Sequence, residues 1–187
     1  MLIAVTILAL VAANTAMILR AGRAAAASGA ISAAVSNELN LTIDRIALAL
    51  MGAKAAAVDG PQLKPLSSES VRFQACLGIE EGDVIVGPEE EITWMATQGE
   101  FGKILWRENP EETTERRIVW SNAVPSSYMD EIAGNGIDDN GNEIEDEAGL
   151  AFTMDGERVD IHVTVERVGD DGRTRPMQRT QHIFCRN

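Results

Sequence analysis

The residues of this chain that could do chemistry are concentrated in one acidic segment, which reads GNGIDDNGNEIEDE and spans Gly134 to Glu147. Its oxygen-bearing side chains recur at alternate positions, and a further carboxylate follows four residues after the last of them. Calcium takes about six to eight oxygen ligands, and alternate residues of a tight loop can direct theirs to one centre. The segment therefore predicts a calcium site formed by Asp138, Asn140, Asn142, the backbone carbonyl of Ile144, Asp146 and Glu147.

The pattern differs from an EF-hand at two positions. Glu143 stands where an EF-hand has its glycine, and Gly149 stands where an EF-hand has its last glutamate. The spacing is closer to that of short, Asp-rich calcium loops in extracellular repeats. Because Gly, Asn and Asp are also the residues that turns prefer, a solvated acidic turn without metal is the alternative.

The remaining sequence offers little for catalysis or for a nucleic-acid partner. The 187 residues include only two histidines and two cysteines, and no Gly-rich phosphate loop, HExxH or GxSxG motif occurs. A formal net charge of −13 lacks the basic footprint that nucleic-acid binding requires. We expect a protein that is not an enzyme and does not bind nucleic acid.

The two cysteines could have a structural role. Cys76 and Cys185 lie near the first and last predicted strands of the C-terminal part. In an extracytoplasmic domain they could form a disulfide, which would close a loop of roughly 100 residues. Two reduced, buried thiols are the alternative.

The acidic segment lies within a region that is expected to be mainly strands. Val159, Ile161, Val163 and Val165 alternate with polar residues, which predicts a strand with one buried face and a polar face in water. Asp155-Gly156 and the GDDGRT turn from Gly169 complete a three-stranded antiparallel meander. Glu89 to Glu91 are expected to be a solvated loop, and three tryptophans are expected to pack at the core or its rim: Trp94, Trp106 and Trp120. Earlier strands are predicted within residues 71–77, 83–86, 92–97, 103–107 and 117–121.

Ahead of these strands the chain predicts one long helix. Residues 1–19 contain no charge, end at Arg20, and match the roughly 20 apolar residues that cross a bilayer. The Ala-rich continuation has no proline before the turn signal Asp59-Gly60-Pro61, so the helix is expected to run to Val58. One apolar stripe runs down this continuation at steps of three and four: Ile31, Val35, Leu39, Ile43, Ile46 and Leu50.

Other interpretations of the apolar run are a cleaved secretory signal, a plain membrane anchor and a buried helix of a soluble protein. The run exceeds the usual apolar region of a signal peptide, lacks a basic start, and is followed directly by Arg20 and Arg23. These arginines lie on the same side of the run as residues 61–187, which carry 12 basic and 26 acidic residues. The positive-inside rule would keep that acidic side in the cytoplasm, unless a basic segment precedes Met1.

At this point the chain resembles the type IV pilin-like superfamily. MLIAVTILALVA resembles the apolar stretch that follows the family's processed Phe and its Glu, and residues 91–109 and 149–187 resemble strand pairs of J-type minor pseudopilins and W-type minor pilins. The basic leader, the Phe and the Glu are absent before MLIA, so leader processing and Glu-mediated registration have no residues to carry them here. The resemblance implies a subunit held in the bacterial inner membrane, with its C-terminal part in the periplasm or on a filament.

The sequence thus predicts an α+β protein with a long N-terminal helix and an antiparallel β-sheet head. Residues 1–60 are expected to be the helix, with 1–19 in the membrane or filament core and 21–58 as an amphipathic stalk, and residues 61–187 the acidic head. The expected partners are the membrane and other pilin-like subunits. The alternative function is a membrane-anchored periplasmic domain that binds its ligand with or without calcium. The residues expected to make the membrane and assembly contacts are Leu2, Ile3, Val5, Ile7, Leu8, Leu10, Val11, Ala12 and Ala16.

Overall fold

The computed structural model describes residues 2–99, 101–132, 134–169 and 171–185. It begins with one continuous helix, α1 (Leu2–Met51), which is about 75 Å long at the standard rise per residue. The predicted α+β layout, a long N-terminal helix followed by antiparallel sheets, is confirmed. The strands of the described residues are β1 (Ser70–Glu80), β2 (Asp83–Met95), β3 (Gly102–Glu108), β4 (Arg116–Val124), β5 (Leu150–Asp155), β6 (Arg158–Val168) and β7 (Thr174–Phe184).

The C-terminal half of α1 belongs to the hydrophobic core of the head. Five members of the predicted stripe, from Val35 to Leu50, are at most 5 % exposed, and Ile31 packs against their edge. The helix contacts chiefly β6 and β7, whose inward side chains share one cluster with the stripe. This half of α1 is therefore held in place by tertiary packing, and the same helix continues outward as the apolar N-terminal half.

The helix ends at Met51, earlier than the expected end at Val58. Directly after it, the Cys76 N–H donates to the Gly52 carbonyl oxygen at 2.8 Å, and the Lys54 N–H donates to the Gln74 carbonyl oxygen at 3.1 Å. These bonds draw the chain onto the edge of β1. The alanines that favoured a longer helix form only a short 3-10 turn, Ala55–Ala57, because pairing with β1 outweighs their local propensity.

One sheet is an antiparallel meander in the order β1-β2-β3-β4. β2 is a single strand that joins two separately predicted ones, and the register of β1 against β2 shifts near Pro88, where a proline can be accommodated in a strand. The expectation of a solvated loop at Glu89 to Glu91 is wrong, since these residues lie within β2. Glu91 is buried because it accepts hydrogen bonds from Arg72 Nε (3.1 Å) and Arg107 Nη1 (2.5 Å), which come from the two neighbouring strands.

The three tryptophans of this sheet pack against the core, as predicted. The rings of Trp106 and Trp120 stack with their centroids 6.5 Å apart. Trp106 Nε1 donates to a carboxylate oxygen of Glu90, and Trp94 Nε1 donates to the Val124 carbonyl oxygen at 3.4 Å. The indole N–H groups are thus satisfied while the rings cover apolar surface.

The second sheet is the predicted C-terminal meander, in the order β5-β6-β7. Asp155 pairs with Arg158 across a two-residue turn in which Gly156 has a φ of 62°, a conformation that favours glycine. The valines and isoleucine at alternate positions of β6 are fully buried against α1. β7 begins at Thr174, earlier than expected, and pairs along the whole of β6.

The polar face of β6 does not lie in water, contrary to the expectation from its alternating pattern. Asp160 and His162 are 4 % exposed and Thr164 is fully buried. The segment between β4 and β5 crosses this face, and the Met129 N–H donates to Thr164 Oγ1 at 3.1 Å. A polar strand face can be buried when its groups find partners, and the alternation alone does not reveal that a loop will supply them.

Candidate functional site

The predicted membrane and assembly residues form an exposed apolar surface on the N-terminal half of α1. Ile3, Val5, Ile7, Leu8, Leu10 and Val11 are between 56 % and 76 % exposed, and Ala12 and Ala16 are exposed as well. Leu2 lies in the helix, but its side chain is outside the described part of the chain. In the described residues, α1 is the one helix that is long and apolar enough to cross a membrane, and none of its most apolar window is buried.

The size of this surface indicates that something covers it in the working protein. Fully burying one Val, Leu or Ile side chain stabilises a protein by about 1.5 to 3 kcal/mol. The six large side chains from Ile3 to Val11 would together gain roughly 10 to 20 kcal/mol when lipid or other helices cover them. Contiguous apolar surface of this extent is typical of a membrane or protein contact.

The acidic loop is ordered by hydrogen bonds to its own backbone. Asp138 Oδ1 accepts the N–H groups of Gly141 (2.6 Å) and Asn142 (3.1 Å), and Asp138 Oδ2 accepts that of Glu143 (2.7 Å). Burial opposes ionisation of Asp138, but the backbone donors outweigh it and the pKa of this carboxyl is lowered. Asp138 is therefore an ionised carboxylate that fixes the turn.

The side chains of Asn140 and Asn142 converge on Glu147. Asn140 Nδ2 donates to Glu147 Oε2 at 2.9 Å, and Asn142 Nδ2 lies 2.8 Å from both Glu147 oxygens. Glu147 is fully buried, and burial raises its pKa although the two amides favour the ionised form. The carboxylate of Glu131 lies beside this cluster, since it accepts a second hydrogen bond from Asn140 at 2.8 Å.

The predicted calcium ligands are only partly brought together. Asp146 accepts the backbone N–H groups of Asn135 and Gly136 at 2.8 Å each, and the Ile144 side chain is fully buried. Among the described residues, no group of three or more His, Cys, Asp and Glu side chains is placed to hold a metal. Asp138 and Asp146 both accept backbone N–H groups, and Asn140 and Asn142 direct their amide N–H groups toward Glu147, so the calcium site stays a prediction.

Sequence reasoning missed the buried groups on which this loop rests. His162 Nδ1 lies 3.2 Å from Thr180 Oγ1 and 3.6 Å from Glu147 Oε1, and its ring meets the Tyr128 ring edge-on at 5.9 Å. Burial lowers the pKa of His162 to about 4, so the ring is neutral at pH 7. The alternation of β6 placed His162 on the side expected to face water, and no spacing in the sequence links it to Tyr128 or Glu147.

The predicted disulfide is not formed in the structure, in which Cys76 and Cys185 are both free thiols. Cys76 is half-buried on β1, where its Sγ contacts the Gly78 carbonyl oxygen. Cys185 follows β7 in the other sheet and packs in the hydrophobic core. β1 belongs to the four-stranded sheet and β7 to the three-stranded sheet, so the two cysteines are not on paired strands.

The comparisons with known proteins identify no relative. No protein-family model matches the chain, and neither a curated protein nor a solved structure shows significant similarity to it.

Proposed function

We propose that this chain is a non-enzymatic filament subunit of the type IV pilin-like class, a minor pilin or pseudopilin of a type II secretion or type IV pilus system. The observation that carries the proposal is the division of one continuous helix. Residues 3–19 of α1 are exposed and apolar, while the stripe from Val35 to Leu50 is buried in the head. In the proposed cycle the exposed half lies in the inner membrane before assembly and then packs against the helices of neighbouring subunits.

Small residues within the apolar half support packing against other helices. Ala12, Ala13, Thr15 and Ala16 are exposed, and Thr15 Oγ1 is bonded back to the Val11 carbonyl oxygen at 2.9 Å. Small side chains let helix backbones approach closely, which is how helices associate where lipid removes the hydrophobic drive. A plain anchor needs apolar length but does not need such a face.

This difference gives the test. Ala12→Leu with Ala16→Leu adds apolar bulk, so membrane insertion is preserved while close helix approach is blocked. A filament subunit should then disappear from the sheared extracellular fraction of its host while remaining in the membrane fraction. The matched control is Leu8→Ile, which keeps both volume and apolarity. A double variant that is incorporated like wild type would refute the filament proposal and favour a periplasmic domain on a simple anchor.

A second proposal is that the acidic loop binds calcium, and the buried carboxyl group of Glu147, which a bound cation would hold in the ionised form, favours it. Glu147 is fully buried. His162, whose Nδ1 lies 3.6 Å from Glu147 Oε1, does not supply a counter-charge, because burial keeps its ring neutral at pH 7. The Asn140 and Asn142 side chains also line a cleft of about 430 Å³, which gives a cation access from solvent. A divalent cation would compensate Glu147 if the amide groups of Asn140 and Asn142, whose Nδ2 atoms now donate to Glu147, turned their oxygens toward it, with Asp138 as a further oxygen donor.

Thermal melts of the full chain in detergent, with calcium and with chelator, test this site. Calcium should raise the melting temperature of wild type, and Glu147→Gln should abolish the increase. Glu143→Gln is the control, because the Glu143 side chain is 83 % exposed and pairs with Lys64 outside the cluster. Equal melting temperatures of the wild type in calcium and chelator would remove the calcium proposal and leave the filament proposal unaffected.

A further inference from the structure

A groove lies beside α1 at the point where the helix enters the head. It has a volume of about 490 Å³, and its helix wall is made of Ala30, Ile31 and Ala34. The opposite wall is formed by the ends of β4 and β6, including Asn122 and Glu166. Ala30 lies eleven residues beyond the end of the apolar segment at Leu19, or about 16 Å along the helix. The groove is therefore close to the surface through which the proposed subunits pack.

One acidic residue of the groove, Glu166, has no partner among the residues that the structure describes. Its arginine, Arg167, is committed to Glu38 of α1, to which Nε donates at 2.9 Å. Within the described residues, the carboxylate of Glu166 makes no hydrogen bond or ion pair, and burial raises its pKa. A half-buried carboxylate without a partner favours the approach of a cation.

Two arginines of the same helix lie between the apolar segment and the groove, and they have no partner among the described residues. Arg20 and Arg23 are the first charged residues of the sequence and follow the apolar segment directly. Both side chains are exposed and, in the part of the chain that the structure describes, neither forms an ion pair or a side-chain hydrogen bond. Close approach is unhindered beside them, since a Cβ added at Gly22 would contact nothing within 4 Å.

We infer that Arg20 and Arg23 of one copy dock at this groove on a second copy of the chain, with Glu166 as their counter-charge. Both halves of the contact are on this chain, and they lie at different heights along α1. Arg23 precedes Ala30 by seven residues, and Arg20 precedes Ala34 by fourteen. The second copy is therefore displaced by about 10 to 20 Å along the helix axis relative to the first. The inference rests on the proposed function, because the apolar segments must lie side by side.

Such a contact is heterologous, since a different patch is used on each partner. A heterologous contact that does not close into a ring repeats without limit and produces a filament. The charge distribution of the whole chain agrees with it, because residues 1–60 carry four basic and three acidic residues while the remainder carries 12 and 26. Arg20 and Arg23 of one subunit therefore meet the acidic head of the next.

Disulfide cross-linking of the full chain in bacterial membranes tests the register. Cysteines replace Gly22 and Asn122 in a background in which Cys76 and Cys185 are alanine, so both arginines are retained. The Gly22→Cys/Asn122→Cys chain should give a ladder of dimers and higher species on mild oxidation, and each single variant should give none. Efficient dimers from Gly22→Cys alone would mean that the helices pack in register, and this result would overturn the inference.

The charges are tested in the same cross-linking background. Arg20→Glu/Arg23→Glu should reduce the ladder about tenfold, and adding Glu166→Arg should restore it. Arg20→Lys/Arg23→Lys keeps both charges and should cross-link like the parent chain. A ladder unaffected by charge reversal would overturn the role of these residues.

A reporter in the apolar segment separates this inference from the proposed function. A photo-cross-linking amino acid in place of Leu10, in the same background, should form adducts with neighbouring pilin-like subunits if the filament proposal holds. Leu10 adducts without a Gly22–Asn122 ladder would refute the groove contact and leave the filament proposal standing. Absence of both would refute both.

Discussion

The burial of His162 predicts a loss of stability in mild acid that can be removed by one substitution. His162 is 4 % exposed, and burial lowers its pKa from 6.5 to about 4. In the unfolded chain the ring takes up a proton at the ordinary value, so between pH 6.5 and about 4 the unfolded state binds more protons than the folded state. The contribution of the neutral His162 ring to stability is therefore fully present above pH 6.5 and is lost progressively as the pH falls to about 4.

The size of this effect follows from the difference of about 2.5 pH units. At about 1.4 kcal/mol per unit, the His162 contribution is about 3 kcal/mol. Glu147 acts in the opposite direction, because its raised pKa gives stability that grows as the pH falls, so the His162 effect is measured as the difference between wild type and a variant that lacks this ring. A loss of about 3 kcal/mol is a large share of the stability of an ordinary domain.

Denaturant unfolding of the full chain in detergent, followed by tryptophan fluorescence, measures the effect from pH 4 to pH 7.5. His162→Phe keeps a ring against Tyr128 but cannot take up a proton, so between pH 7.5 and pH 4 its free energy of unfolding should fall about 3 kcal/mol less than that of wild type. His182→Phe is the control, because the His182 side chain is 61 % exposed and its removal leaves His162 in place. Parallel pH profiles of wild type and His162→Phe would refute the reasoning.

Three further predictions follow from the same structure. Ile43→Ala should lower the free energy of unfolding, measured in urea, by about 2 to 5 kcal/mol, because Ile43 is fully buried. Leu48→Ala, on the exposed side of α1, should change it by about 0.5 kcal/mol or less. Similar effects of the two substitutions would contradict a helix embedded in the head. Glu147→Gln should flatten the pH dependence of the free energy of unfolding at pH values above the ordinary carboxyl pKa. A raised carboxyl pKa gives stability that is lost as the pH rises through the pKa of the folded state. An unchanged slope in the absence of calcium would show that Glu147 is not the responsible group. Alkylation in denaturant without reductant, measured by intact mass, should modify both Cys76 and Cys185. In the native protein Cys185 should react more slowly than Cys76, because Cys185 is buried. If neither cysteine is modified in denaturant, the two form a disulfide.

The sequence by itself determined the parts of the fold that are set by local periodicity. The step of three and four residues from Ile31 to Leu50 specified which face of α1 is buried, since helical spacing places these side chains in one row. The alternation along β6 and the glycine after Asp155 specified a strand and its hairpin for the same reason. The exposed apolar segment at the start of α1 can equally be predicted from the sequence, because its length and lack of charge do not depend on contacts with other parts of the chain.

Only the tertiary structure decided what covers a face and which distant groups meet. The helix ends at Met51 because residues 52–54 bond to β1, a partner that local propensity does not contain. His162 is buried because the segment between β4 and β5 crosses β6, and Cys76 and Cys185 are free thiols although they lie near the first and last strands. These outcomes depend on long-range pairing, whose free energy is shared among residues far apart in the chain and therefore leaves no mark in the spacing of any one segment.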